Sequence, residues 1–176
     1  MRARYTRSIG LPIQEEETGE QVGSISGILI HPDTGTVEGF FVYAPSMFSG
    51  EDLFLSTADI LHWGLRVSVR RREVLMPVGD LIRLQPILEG NRPVLGQRML
   101  TEGGRTLGRC GDVQFSTRDF RLEWLFPRRF FRWRPAVPAS QIIEVTLQGI
   151  VLREGVLPAT EAEVGAPMIP QLPEVV

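Results

Sequence analysis

Two histidines, one cysteine and a set of arginines are the side chains of this 176-residue sequence with the most chemistry to offer. His31 and His62 are its only bases of the usual catalytic kind, yet neither has a serine, cysteine or carboxylate beside it in a spacing known from nucleophilic catalysis. His31 precedes Pro32 and His62 precedes Trp63-Gly64, so both are expected as solvated turn residues. Cys110 stands alone, which excludes an intrachain disulfide and a multi-cysteine metal site; it is expected to be a buried small hydrophobe. All 19 basic residues are arginine. Arginine stays protonated, so no amine here serves as a tunable nucleophile. The lysine-bearing phosphate loop, the pyridoxal Schiff base and the kinase strand lysine are excluded together. Glu15-Glu16-Glu17 reads as a solvated strand end rather than a cation site, and no metal or cofactor is expected. The expected protein is not an enzyme.

What remains is contact chemistry. From Trp124 to Pro135, four arginines (Arg128, Arg129, Arg132, Arg134) interleave with five aromatics (Trp124, Phe126, Phe130, Phe131, Trp133). Pro127 and Pro135 are expected to prevent a long helix or a central strand here. Trp124 and Phe126 continue the alternation of the preceding strand and are partly core. A loop carrying Phe130, Phe131 and Trp133 exposes a large apolar area unless it folds back or meets a partner. An earlier connection, from Ala44 to Gly50, offers Met47 and Phe48 at the corresponding place. Phe126, Arg128, Arg129, Phe130, Phe131, Arg132, Trp133, Arg134, Met47 and Phe48 are therefore the candidate partner-binding residues. Arg70-Arg71-Arg72 is a shorter basic run and reads as a solvated strand end.

The elements that must carry these residues are strands. Gln21 to Ile30 and Val37 to Tyr43 are rich in β-branched and aromatic residues and flank His31-Pro32-Asp33-Thr34-Gly35, which suits a tight reversal. Glycine and apolar positions of this first strand coincide with those of Leu107 to Phe115 when moved 85 places, so Val22 meets Leu107, Gly23 meets Gly108 and Ile30 meets Phe115. Two consecutive units follow: residues 1–78 with an N-terminal arm, and 94–155. A connector spans 79–93, where Asp80 suits the cap of a short helix ending before Pro86. Residues 156–176, with four prolines, three glutamates and no basic residue, read as a flexible acidic tail. Units this small are only marginally stable alone and should lean on each other. The net charge of −2 exerts no global pull on nucleic acid. No apolar stretch reaches the ~20 residues of a membrane-spanning helix, and no secretory signal is expected, which points to the cytoplasm.

A glycine-bearing first strand, a hairpin, an apolar second strand and a short turn before the last strand resemble the PRC-barrel. The resemblance rests on Gly23 to Ile30 with Asp33 to Gly39, on Gly108 to Phe115 with Thr117 and Leu122, and on the closing elements Ala58-Asp59-Ile60 and Ser140-Gln141-Ile142. It covers residues 8 to 154 and departs where Asp119-Phe120 replaces Thr34-Gly35. It implies an all-β chain of two small PRC-like β-barrels related by internal duplication, without catalytic residues. The family's known settings are the cytoplasmic part of the photosynthetic reaction-centre H subunit and the C-terminal half of a ribosome maturation factor. A non-enzymatic protein-interaction module follows as the expectation, a scaffold or assembly factor in a larger protein complex, with peripheral membrane contact open to it. RNA or ribosome binding is the alternative, and a small-molecule enzyme the third.

Overall fold

The alternation that marks the strands also sorts their faces. In the computed structural model, which describes residues 1–44 and 52–155, the first half contains β1 (Arg2–Arg4), the helical turn α1 (Tyr5–Ser8), β2 (Pro12–Glu15), β3 (Gln21–Ile30), β4 (Val37–Tyr43), β5 (Leu53–Ser56), β6 (Ile60–Trp63), β7 (Val67–Val69) and β8 (Leu75–Pro77). A short helix, α2 (Gln85–Glu89), precedes β9 (Arg98–Thr101), β10 (Thr106–Ser116), β11 (Leu122–Arg129), β12 (Arg132–Trp133), β13 (Val137–Pro138), β14 (Ile142–Val145) and β15 (Ile150–Leu152). The chain is all-β in class. One sheet runs β6-β7-β2-β3-β4-β5-β8; the other runs β12-β11-β10-β9-β15-β14, with β1 added to β10 and β13 to β11.

Strand pairing follows one pattern in both sheets. β2 is antiparallel to β3 and parallel to β7, as β9 is antiparallel to β10 and parallel to β15. Gly10 N–H donates to Ile25 O at 2.8 Å and Ile25 N–H to Leu11 O; likewise Gly96 N–H donates to Cys110 O at 2.8 Å and Cys110 N–H to Gln97 O. Cys110 is as buried as its counterpart Ile25, and burial, with the Asp112 carboxylate adding to it, pushes its thiol up to about 12.

The sheets share a single hydrophobic core that includes Ile13, Val37, Phe40 and Leu55 from one and Met99, Val113, Phe115 and Leu125 from the other. Phe40, Trp63, Phe115 and Phe120 form its aromatic centre, with ring centroids 4.9 to 6.5 Å apart. Backbone crosses the seam as well. Thr36 faces Arg121 in an antiparallel bridge, Val37 N–H donates to Phe120 O at 2.7 Å, and Leu122 N–H donates to Gly35 O at 2.8 Å. The 85-residue shift turns Thr36 into Arg121, Val37 into Leu122 and Gly35 into Phe120, so the bridge is its own image about a local two-fold axis. Both hairpins keep the same turn: Gly35 has φ +67° and Phe120 φ +51°. Phe120 adopts the left-handed conformation that glycine takes freely, and its ring packs in the aromatic centre.

Several expectations are corrected. The N-terminal arm does not join the first unit; β1 pairs with β10, where Arg2 lies opposite Ser116 and Arg4 opposite Gln114. The connector does make short 3₁₀ turns before Pro86, at Val78–Asp80 and Ile82–Leu84, but α2 follows from Gln85 with Pro86 in its first turn, where the missing N–H is free of cost. Asp80 closes the first of these turns and caps neither, the preceding residues being Pro77 and Leu81. β11 runs through Pro127, which sits opposite the bulge that β10 makes between Cys110 and Asp112, a place where a ladder tolerates proline. His31 does lie in a turn, its Nδ1 accepting the Asp33 N–H, but His62 belongs to β6. Glu15 ends a strand, and hydrogen bonds from Thr18 and the Arg72 backbone hold its carboxyl below the usual range.

Candidate functional site

The arginine–aromatic segment is the end of a long β-ribbon. β10 and β11 form its stem, and β12 returns along β11 after a two-residue turn, Phe130-Phe131, closed by the Arg129–Arg132 pair. Arg134 N–H donates to Pro127 O at 2.8 Å and extends the ribbon past β12.

A rigid base holds this ribbon. Asp112, 1% exposed, forms an ion pair with Arg4, Oδ2 to Nε 2.9 Å, and accepts hydrogen bonds from the Thr6 N–H at 3.0 Å and from Thr6 Oγ1 at 2.7 Å. The Arg4 guanidinium lies 3.7 Å from the centroid of the Phe126 ring. Phe126 is therefore buried and no contact residue, which corrects its place among the candidates. It is buried under the N-terminal arm, whereas Leu122 and Leu125 are the β11 residues that enter the shared core. Trp133 is half-exposed and lies over Gly111, where a Cβ would come within 2.9 Å of its Cζ3. Its ring sits 5.6 Å from the Arg128 guanidinium.

The tip has no such support. Phe130 is 85% and Phe131 89% exposed, and Arg128, Arg129, Arg132 and Arg134 are all exposed. Phe130 has φ +54°, a left-handed conformation costly for an aromatic residue. Met47 and Phe48 lie outside the described residues.

Sequence reasoning missed two further arginines. Arg109 lies directly opposite Arg128 on one side and Arg98 on the other, and Arg128 lies opposite Trp133. One row thus crosses four strands in the order Arg98, Arg109, Arg128, Trp133. Together with Arg129, Phe130 and Phe131, these three arginines line a shallow groove. Like charges directly opposite each other on neighbouring strands are destabilising. Arg109 spends one donor on Gly96 O, yet among the described residues no carboxylate pairs with any of the six arginines of row and tip. No Asp or Glu occurs between Glu123 and Glu144. The only sequence signal for the row is an arginine placed shortly before the second strand and another within it; register does the rest. Asp112 was also missed, a buried acid inside β10 and the counterpart of Gly27.

The arrangement offers fixed positive charge around an apolar projection. The sequence matches no model of a known protein family, and no curated protein matches it.

Proposed function

We propose that this chain is a non-enzymatic interaction module, two PRC-like β units in tandem that serve as a scaffold or assembly factor in the cytoplasm, with the Arg128 to Arg134 ribbon end as the contact surface. The observation that carries the proposal is the uncompensated row Arg98, Arg109 and Arg128 beside an exposed Phe130-Phe131 tip. Like charges aligned across a sheet cost stability, and exposed aromatic pairs cost solubility. Both are offset when a partner of negative charge and apolar character covers them. RNA is the second reading, favoured by the groove that Arg98, Arg109, Arg128 and Arg129 line together with Phe130 and Phe131.

Affinity capture from native lysate, with and without nuclease, tests this. The wild-type chain should retain partners that a variant with Phe130→Ser, Phe131→Ser and Arg128→Gln loses. Nuclease-sensitive capture with steep salt dependence supports RNA. Identical capture by both chains rejects the ribbon end as the contact surface.

A further inference from the structure

We propose that the ribbon end is a membrane-contact wedge: the Phe130-Phe131 tip enters the acyl boundary of an anionic bilayer, and the arginine row rests on its headgroup phosphates. The proposal rests on the ribbon end being the contact surface, and it names the partner.

Three observations point to a bilayer. The first is shape. The two phenylalanines occupy the apex of a two-residue turn and are almost wholly exposed, so they form a convex projection instead of a platform. A convex apex buries both rings only in a medium that flows around it or in a matching cavity.

The second is the layering of charge behind the apex. Strands rise ~3.4 Å per residue, so the Arg129–Arg132 pair lies about 3 Å behind the turn and the Arg128–Trp133 pair about 7 Å behind it. With the ribbon upright, the row from Arg98 to Trp133 runs across the strands, hence parallel to the bilayer plane, over three strand spacings or about 14 Å. A headgroup layer is roughly 5–8 Å deep on each side of the hydrocarbon, which matches those two ranks. Tryptophan prefers this interface, and the half-exposed Trp133 is in the rear rank. Single-stranded RNA, by contrast, tracks a line of stacking faces and has no use for charges arranged in a plane behind an apolar point.

The third is strain with little compensation. Phe120 and Phe130 both hold positive φ, but Phe120 recovers the cost through ring packing at the core, whereas the Phe130 ring is exposed, with the Arg129 guanidinium 6.0 Å from its centroid. Glycine at 130 would relax the turn and remove an exposed ring. Backbone strain retained at an exposed aromatic residue points to function.

Sedimentation of the full chain with sucrose-loaded vesicles is the test, using phosphatidylcholine alone and phosphatidylcholine mixed with phosphatidylserine. Binding should require phosphatidylserine. It should fall about tenfold or more in Phe130→Ser/Phe131→Ser. It should weaken about fivefold for each of Arg98→Gln, Arg109→Gln and Arg128→Gln and fade as salt rises. These side chains are exposed, and urea midpoints no lower than that of wild type verify folding in every variant. Brominated acyl chains should quench a Phe131→Trp variant more than wild type. Binding that survives Phe130→Ser/Phe131→Ser, or no vesicle binding at all, overturns the wedge. If the lysate capture still depends on the ribbon end, the contact surface stands and only its lipid partner is wrong; if neither depends on it, both proposals fall.

Discussion

Phe120 makes the seam between the sheets testable by a comparison whose sign runs against habit. Its ring packs on Phe40, Trp63 and Phe115 while its backbone holds φ +51°. Truncating a fully buried phenylalanine costs ~3–5 kcal/mol, and for this half-buried ring about 2–3 kcal/mol is expected of Phe120→Ala. Phe120→Gly removes the same ring but also releases a left-handed backbone worth ~1–2 kcal/mol to any L side chain. Glycine's greater freedom in the unfolded chain takes back ~0.5–1 kcal/mol. The glycine variant should therefore be more stable than the alanine variant by about 0.5–1 kcal/mol, although both fall below wild type. In urea, at a slope of ~2 kcal/mol per molar, the two midpoints should differ by roughly 0.3–0.5 M. Gly35→Ala is the mirror experiment: its Cβ would meet only Leu122 Cβ at 3.6 Å, so its loss, ~1 kcal/mol, is conformational. An alanine variant equal to or more stable than the glycine variant refutes the idea that backbone strain at the seam is held by ring packing.

Asp112→Ala should cost ~3–5 kcal/mol, since it strands the partly buried Arg4 charge, and amide exchange at residues 2–6 should accelerate more than in the first sheet. Asp33 gives a pH signature. Its hydrogen bond from Arg92 holds its carboxyl below the usual range. The stability this adds is complete above the unfolded carboxylate value of ~3.9 and is lost as pH falls through the lower folded value. Denaturation midpoints of wild type and Asp33→Asn should therefore differ at neutral pH and converge on acidification below about pH 4.

How far the sequence disclosed all this depended on how local each cause is. β3 and β4 fall on their predicted limits because long β-branched and aromatic runs, bounded by Pro32, Asp33 and Gly35, leave one register open to them. Burial of Cys110 followed from its match to Ile25. β12 did not: two residues, Arg132 and Trp133, are a strand only because Arg129 and Arg128 lie across from them. β1 finds its partner more than a hundred residues away, which no local pattern encodes. Pro127 signals a break when read along the chain; the bulge that excuses it belongs to another strand. The same holds for the candidate site. The tip arginines and phenylalanines are neighbours in sequence and were legible, whereas Arg98, Arg109 and Arg128 become a row only through register across three strands.

The N-terminal strand also sets a schedule for synthesis. Arg2 to Arg4 leave the ribosome ahead of β2 to β15, but Thr6 must wait for Asp112, 106 residues later. At ~5–20 residues per second, that interval is about 5–20 s, far longer than hairpins take to form. β2 to β8 thus have time to assemble before β10 is made. β1, made before β2 to β15, is among the last of them to be placed, and it closes over the base of the ribbon that the newer residues have just completed.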